Sequence, residues 1–155
     1  MGKTFDRLAS RTVETPIGPM TLQASGSALV SARFGASSAC DQSAILDQAE
    51  RELREYFDGK RRAFNVPLAP RGTPFQLRVW EELQRIPYGQ TRTYRDIARA
   101  AGNERACRAV GRANNQNPLP VFVPCHRVIG VNGSLTGYAG GLDAKQRLLR
   151  LEAAL

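Results

Sequence analysis

The chain has 155 residues, of which 42% are hydrophobic and 23% charged, a composition that can bury a core and is not typical of a disordered protein. No stretch approaches the roughly 18 apolar residues that a membrane span needs, and the first ten residues contain no secretory signal. These exclusions predict a soluble, cytoplasmic protein made of one compact unit or two small lobes.

The formal charge of +8 is concentrated in the second half of the chain. Residues 1–72 contain 10 Lys/Arg and 8 Asp/Glu, a balance of +2, whereas residues 73–155 contain 12 and 6, a balance of +6. Most cations of the second segment are arginines, whose planar guanidinium suits phosphate and base contacts. The pattern favours a nucleic-acid partner, with a merely solvated basic surface as the alternative.

The first segment is predicted to be a small α/β lobe built on an antiparallel sheet, and nothing in it resembles a catalytic site. Turn residues separate its elements, and its apolar residues recur at strand spacing or at helix spacing. The predicted elements, in chain order, are strands at 11–15, 20–24 and 28–34, a helix at 43–57 and a strand at 61–68. Residues 25–27 (Ser-Gly-Ser) predict a hairpin between the second and third strands.

A second segment is predicted to begin after a linker at 69–72. Thr73 is suited to cap a helix, Pro74 to occupy its first position and Gln76 to complete a capping box. This helix carries an apolar stripe for core packing and is expected to stop at residues 87–89 (Pro-Tyr-Gly).

Two arginine-bearing helices are predicted next, at 93–101 and 104–115. Thr93 is suited to cap the first, and a tight turn at Gly102 separates the two. A short helix, a glycine-containing turn and a second helix are typical of a helix-turn-helix. Many helix pairs that do not bind DNA share this pattern, so a helix pair without DNA contacts is the alternative interpretation.

An apolar run at 121–123 is predicted to be extended and buried, and it leads into Pro124-Cys125-His126-Arg127. A glycine-rich loop at 130–141 follows, without the spacing of phosphate-binding loops. A last helix is predicted from Asp143, which is suited to cap it, to about Glu152.

Cys125 is the candidate nucleophile because it stands beside His126, the only histidine in the sequence. A thiol reacts as the thiolate, its ordinary pKa is about 8.5, and an imidazole can take its proton directly or through one water. Adjacent side chains on an extended segment point in opposite directions, so a direct contact needs a bend. A third group, expected to be a carboxylate, should hold the imidazole. The alternative is an inert core cysteine.

The other two cysteines, Cys40 and Cys107, are expected to be structural. An odd count at wide spacing does not suggest a disulfide framework, and reduced thiols fit a cytosolic setting. The sequence has no CxxC or HxxxH spacing, so no structural zinc or other metal is expected.

The residues around Cys125 resemble a known family. Pro124-Cys125-His126-Arg127-Val128 is similar to the active-site signature of the O6-alkylguanine–DNA alkyltransferases, also called methylated-DNA–protein-cysteine methyltransferases. The resemblance is continuous over about residues 72–152 and weaker over 11–34. Its other segments, in chain order, are Thr15-Pro16-Ile17-Gly18-Pro19, Gly72-Thr73-Pro74-Phe75-Gln76, Val79-Trp80, Ile86-Pro87-Tyr88-Gly89, Thr93-Tyr94, Arg108-Ala109-Val110-Gly111, Ala113-Asn114, Asn117-Pro118 and Leu135-Thr136-Gly137-Tyr138-Ala139-Gly140-Gly141.

The resemblance implies roles for five residues in the chemistry. Cys125 would accept the alkyl group, His126 would activate it through water, and Glu152 would orient His126. Asn117 would brace the turn that carries the cysteine. Tyr94 would push the adjoining phosphate and later donate a proton toward the guanine.

The resemblance also implies which residues meet DNA and the extruded base. Arg108 would enter the duplex and replace that base, with its helix in the minor groove. The further DNA-binding residues would be Tyr94, Thr93, Arg112, Ala109 and Asn103. The residues of the guanine pocket would be Tyr138, Ala139, Trp80 and Gly140. The carbonyls of Val123 and Cys125 would read the guanine amino group.

The implied fold is a ribonuclease-H-like α/β lobe, with a small antiparallel sheet plus a helix, over residues 1–68. A linker at 69–72 would lead to a mostly α domain with a winged-helix-like helix-turn-helix over 73–155. The partner would be double-stranded DNA containing O6-alkylguanine, bound by a monomer, with cooperative binding and activity on O4-alkylthymine left open. No cofactor is expected because the substrate brings the alkyl group, and neither a metal nor a membrane partner is expected.

Two other functions are compatible with parts of the pattern. A DNA-binding module without chemistry, such as a damage sensor, would use the basic helix and the pocket but form no covalent product. A Cys-His hydrolase would turn over through an acyl-enzyme and would leave the arginine-rich helix unexplained. The ordered set of motifs favours DNA repair by irreversible, single-turnover alkyl transfer to Cys125.

Overall fold

The structure, a computed structural model, describes residues 7–154, which form two compact units that divide between Pro70 and Arg71. The division falls inside the predicted linker at 69–72. The domain limits themselves stay a prediction, and the terminal residues 1–6 and 155 that they include lie outside the described residues. None of the helices within the described part of the chain is long and apolar enough to cross a membrane.

The first unit contains the predicted antiparallel sheet. Strands β1 (Ala9–Val13), β2 (Met20–Ala24) and β3 (Leu29–Phe34) are hydrogen-bonded in the order β1-β2-β3. β1 begins and ends two residues earlier than predicted, and just beyond its end the carbonyl of Thr15 accepts a hydrogen bond from the N–H of Gly18 in a turn. The strands otherwise follow the alternation of apolar residues in the sequence.

Helix α1 (Ala44–Phe57) forms where the helical spacing predicts it and packs on the sheet. Its Glu52 is 1% exposed, and the carboxylate accepts hydrogen bonds from the backbone N–H groups of Asn65 and Val66. The predicted strand at 61–68 is wrong except for a single bridge between Leu68 and Leu29 of β3, because the Glu52 side chain takes the backbone donors of Asn65 and Val66.

Helix α2 (Pro74–Gln84) opens the second unit as predicted, and Thr73 and Gln76 make both hydrogen bonds of the capping box. Trp80 is 2% exposed, and its indole N–H donates to the carbonyl of Ala113 at 2.8 Å. The indole thus joins α2 to the helix that contains Ala113, the second of the two arginine-bearing helices.

The predicted helix-turn-helix consists of α3 (Tyr94–Ala100) and α4 (Cys107–Asn115). α4 starts three residues later than predicted. The side-chain oxygen of Asn103 accepts the N–H of Arg105, and its carbonyl accepts the N–H of Ala106. This turn holds the intervening backbone out of the helix.

Two short strands connect α3 to the cysteine segment. β4 (Arg92–Thr93) and β5 (Val128–Ile129) pair in parallel. A single 3-10 turn at Cys125–Arg127 directly precedes β5. The pairing therefore fixes the cysteine-bearing turn relative to the start of α3.

The run at 121–123 is buried, as predicted, but it is not extended. Val121 has a φ of +74°, a left-handed conformation that is unfavourable for a β-branched residue. The N–H of Val123 donates to the carbonyl of Leu119 at 2.8 Å. This hydrogen bond closes a tight turn. Pro120 lies inside the turn and has no N–H to offer a neighbouring strand.

Helix α5 (Leu142–Leu151) completes the second unit. The predicted cap at Asp143 is wrong, because Gly141, with a φ of +91°, occupies the cap position. Asp143 lies in the first turn, where its charge is favourable near the positive end of the helix dipole. Leu148 and Leu149 are fully buried, as predicted.

Candidate active site

Cys125 is the first residue of the 3-10 turn and is 4% exposed. Its N–H donates to the carbonyl of Val123 at 2.7 Å. Its carbonyl accepts a hydrogen bond from the side-chain amide of Asn114 at 3.3 Å. Both main-chain polar groups of the cysteine are held, so the backbone that carries the sulfur is fixed.

Asn117 closes the turn that leads to the cysteine. Its Nδ2 donates to the carbonyl of Val123 at 2.8 Å, and its Oδ1 accepts the N–H of Leu119 at 2.9 Å. These two bonds hold the segment together where Pro118 and Pro120 supply no N–H. The arrangement fits the bracing role expected for Asn117.

Glu152 is the centre of a buried ion cluster. Its carboxylate lies 2.8 Å from His126 Nε2 and accepts two hydrogen bonds from Arg127, at 2.8 and 3.0 Å. Arg127 also donates to the carbonyl of Ile86 at 2.7 Å. The cluster therefore joins the cysteine-bearing turn to the residues that follow α2 and α5.

The neighbours of His126 determine where its proton lies. A carboxylate only accepts hydrogen bonds, so the Glu152 contact requires the proton on Nε2 and leaves a lone pair on Nδ1. Nδ1 is buried without a hydrogen-bond partner among residues 7–154. Burial lowers the pKa of His126, Glu152 opposes this change, and the charges of Arg127 and Lys145 add to it. A neutral imidazole with an open acceptor nitrogen is a competent base.

Burial raises the pKa of the Cys125 thiol to about 11. The side chain of Asn117 and the positive charge of Lys145 act in the opposite direction without offsetting the burial. The thiol is therefore protonated in the resting protein near neutral pH. The reactive thiolate has to be produced when the reaction occurs.

Lys145 is a site residue that the sequence analysis did not include. It is fully buried, and its ammonium donates to the carbonyl of Thr136 at 2.7 Å. Burial lowers its pKa to about 8, and the neighbouring Cys125 acts in the opposite direction. A buried cation whose charge lowers the pKa of the Cys125 thiol favours the thiolate once it forms.

Two other site residues, Arg127 and Asn114, were also missed. Lys145 carried a readable signal, because it shares a helical face with Leu148 and Leu149, and an isolated cation on an apolar stripe is unusual. The partners of Arg127 and Asn114 lie 25 and 11 residues away along the chain, so local patterns could not reveal them.

The glycine-rich loop is attached to two helices through Thr136. The hydroxyl of Tyr94, on α3, lies 3.0 Å from the Thr136 hydroxyl, and Lys145, on α5, holds the Thr136 carbonyl. Gly137 has a φ of +41°, a left-handed conformation in which a side chain is strained, so this position favours glycine. The other expected pocket residues of the loop are Tyr138 and Gly140, which are half-buried, and Ala139, which is exposed.

The expected DNA-contacting residues lie on α3, α4 and the turn between them. Arg108 and Arg112 are exposed one helical turn apart on α4, and Ala109 is half-buried beside them. Thr93 caps α3 through its hydroxyl, and Asn103 shapes the turn. α4 thus presents two guanidinium groups to solvent, and its other face packs on α2.

Two expected pocket residues are already engaged within the protein. Trp80 is packed in the helical core with its N–H bonded to Ala113. The Val123 carbonyl accepts bonds from both Cys125 and Asn117. A carbonyl oxygen has two lone pairs, so Val123 could read a base only by losing one of these bonds.

The described residues offer no grouping of three His, Cys, Asp or Glu side chains that could hold a metal ion. All three cysteines are free thiols: Cys40 is exposed, Cys107 is half-buried and Cys125 is buried. The thiol chemistry of the site is therefore that of Cys125 and the groups around it.

The chain is similar over nearly its whole length to one family of proteins. Residues 74–154 match the DNA-binding domain of the 6-O-methylguanine DNA methyltransferase family, and residues 8–70 match its ribonuclease-like domain. A methylated-DNA–protein-cysteine methyltransferase of Methanosarcina acetivorans is 48% identical over 149 residues, which cover 91% of this chain and 96% of that protein. The constitutive methylated-DNA–protein-cysteine methyltransferase of Bacillus subtilis is 56% identical over 108 residues, covering 69% of this chain and 66% of that protein.

Solved structures show the same likeness. The Mycobacterium tuberculosis O6-methylguanine methyltransferase has a TM-score of 0.86 at 44% identity, covering 96% of this chain and 94% of that one. Mycobacterium tuberculosis OGT in complex with DNA has a TM-score of 0.88 at 45% identity, covering 94% of this chain and 93% of that one. These matches confirm the predicted fold class. The chain therefore belongs to the methylated-DNA–protein-cysteine methyltransferase family.

Proposed function

We propose that this protein repairs DNA by direct reversal, taking O6-alkylguanine out of double-stranded DNA and transferring the alkyl group irreversibly to Cys125. The observation that carries the proposal is a buried thiol in the same turn as His126, whose Nδ1 is a buried acceptor without a partner among residues 7–154. Membership of the family and the exposed arginines of α4 support DNA as the partner.

The proposed reaction balances without a cofactor. The thiol proton passes to His126 Nδ1 through one water, while Glu152 holds the ring at Nε2 and stabilises the imidazolium that forms. The sulfur then bonds to the alkyl carbon as the bond from that carbon to O6 breaks, and the electron pair of the broken bond stays on the oxygen. Tyr94 delivers a proton to the base to give neutral guanine, and the proton that His126 took from the thiol returns through solvent to restore the phenol. Cys125 becomes a stable thioether, so each molecule reacts once.

Extrusion of the base is required because guanine O6 lies inside the stack, and it costs a few kcal/mol. We assign Arg108 to filling the gap in the duplex. We assign Tyr94 to displacing the adjoining phosphate and to protonating the guanine. The surrounding DNA contacts are assigned to Thr93, Asn103, Ala109 and Arg112.

The pocket for the extruded guanine is assigned to the glycine-rich loop and the cysteine-bearing turn. Tyr138, Ala139 and Gly140 would shape it, and the Cys125 carbonyl would read the guanine amino group. We assign Trp80 to the core and Val123 to closing the turn, because their polar atoms are already bonded. We propose that a monomer acts on each lesion.

A count of products per protein molecule tests this function against its two rivals. The protein is incubated with excess duplex that carries one O6-methylguanine, and the demethylated oligonucleotide is counted. One product per protein molecule is expected. Tight binding without product would indicate a damage sensor, and many products per molecule would indicate a turnover enzyme such as a Cys-His hydrolase.

Replacing Arg108 by alanine should slow repair in duplex DNA more than in single strands. The duplex loses the side chain that fills the gap, whereas a single strand has no gap to fill. We expect a loss of about tenfold or more in duplex and about threefold or less in single strands, given an extrusion cost of a few kcal/mol. Single-turnover rates measure both, and Arg150→Ala on the exposed side of α5 is the matched control. Equal losses would reject the gap-filling role.

Replacing Thr136 by valine should slow transfer by about threefold to tenfold, the value of one hydrogen bond. Valine keeps the shape of threonine but removes the hydroxyl that lies 3.0 Å from the Tyr94 hydroxyl. DNA affinity, measured by fluorescence anisotropy, should stay within about twofold. Thr136→Ser, which restores a hydroxyl, should recover most of the rate. A valine variant as fast as the unaltered protein would exclude a role for this contact.

The Cys125 thiol should titrate near pH 11 in the free protein. The rate of its alkylation by iodoacetamide, followed by peptide mass spectrometry, should keep rising well beyond the ordinary thiol pKa of about 8.5. Because the folded state binds this proton more tightly than the unfolded chain, the stability that the thiol contributes is full below about pH 8.5 and lost as the pH rises toward the folded pKa. A plateau in the rate below pH 9 would contradict the assignment.

A further inference from the structure

One acceptor at the cysteine-bearing turn is buried and unused. Asn114 lies near the end of α4 and is 2% exposed. Its Nδ2 donates to the Cys125 carbonyl at 3.3 Å, which fixes the orientation of the amide because a carbonyl only accepts. Its Oδ1 has no hydrogen-bond partner among residues 7–154. A buried amide oxygen without a partner is unfavourable in the free protein and calls for a donor from outside the chain.

The neighbouring carbonyls limit which atoms can receive a base. The Val123 carbonyl has both lone pairs engaged, by the N–H of Cys125 and by Nδ2 of Asn117. The Cys125 carbonyl accepts one bond from Asn114 and keeps one lone pair. Asn114 Oδ1 belongs to the same amide as the Nδ2 that contacts this carbonyl, so it lies close to the Cys125 carbonyl oxygen. Two acceptors thus stand side by side at the reacting cysteine.

We propose that Asn114 Oδ1 accepts a hydrogen bond from the exocyclic 2-amino group of the extruded O6-alkylguanine, beside the Cys125 carbonyl. The inference rests on the proposed function and names the part of the substrate that is read. A 2-amino group has two N–H donors, which matches the two adjacent acceptors. Asn114 is then a specificity-determining residue that favours 2-aminopurines over purines with hydrogen at carbon 2.

The experiment compares two matched duplexes, one with O6-methylguanine and one with O6-methylhypoxanthine, which lacks only the 2-amino group. The quantity measured is the ratio of their single-turnover transfer rates. The unaltered protein should prefer the guanine substrate by roughly tenfold or more, since the analogue leaves buried acceptors unpaired. Asn114→Leu, close in size but without polar atoms, should lower this ratio at least about threefold, with most of the loss on the guanine substrate.

An unchanged ratio in Asn114→Leu, whatever the fall in the two rates, would overturn the inference, because a purely structural role slows both substrates alike. Asn114→Met is the second variant, since its flexible side chain adapts to an irregular buried space if leucine does not fold. Equal rates of the unaltered protein on both duplexes would also overturn the inference while leaving the proposed function intact. Failure of the unaltered protein to form a thioether with either substrate would instead refute the proposed function.

Discussion

Replacing Cys125 by serine is expected to abolish alkyl transfer while affinity for O6-methylguanine duplex stays within a few fold. A hydroxyl holds its proton far more tightly than a thiol, so a neutral His126 cannot produce a useful nucleophile from it. The proposed DNA contacts lie on α3 and α4 and do not involve the sulfur. Transfer is measured by intact mass and affinity by fluorescence anisotropy.

Cys40→Ser is the matched control for this substitution. Cys40 is an exposed thiol of the first unit, and its replacement should leave transfer unchanged. Parallel loss of binding and transfer in Cys125→Ser would identify Cys125 as a structural core residue and remove it as the acceptor.

Replacing Arg127 by methionine is expected to lower the free energy of unfolding by about 3–5 kcal/mol, because it leaves the buried Glu152 carboxylate without its charged partner. The loss also removes the hydrogen bond to the Ile86 carbonyl. Transfer should slow as well, since Glu152 no longer holds His126 in a fixed position. Urea denaturation and single-turnover rates measure the two effects.

A pH profile distinguishes positioning from simple destabilisation in this variant. The charge of Arg127 lowers the pKa of His126, so its removal should raise that pKa and move the acid limb of the transfer rate to higher pH. Arg150→Met, at an exposed position of α5, should change the free energy of unfolding by no more than about 0.5 kcal/mol. The pH dependence of its transfer rate should be that of the unaltered protein. An Arg127 variant with native stability and an unshifted profile would refute the role given to the cluster.

Local rules predicted those elements whose ends are set by neighbouring residues. The capping box of Thr73 and Gln76 fixed the start of α2, and the helix-turn-helix followed from spacing and the turn at Gly102. Two of the failures arise where a side chain bonds the backbone of another segment. Glu52 takes the donors of a segment whose composition suggests a strand, and Asn117 closes a turn where apolar residues suggest an extended run.

The candidate site divides in the same way. Cys125 and His126 could be proposed from their adjacency, and Glu152 and Asn117 only through the resemblance to a family. Asn114 could not be assigned a role, because a polar residue at the end of a helix is ordinary until its partner is known to be the cysteine carbonyl. The raised pKa of the thiol also depends on burial by the whole unit, which no local pattern contains.

The fate of an isotopically labelled methyl group decides whether Cys125 is the alkyl acceptor. The protein is incubated with duplex DNA that carries O6-(trideuteromethyl)guanine, then digested and analysed by peptide mass spectrometry. We expect one trideuteromethyl group on the peptide that contains Cys125, at the sulfur, together with unmodified guanine in the DNA. Label released as methanol, or attached to Cys40 or Cys107 with Cys125 unmodified, would contradict this expectation.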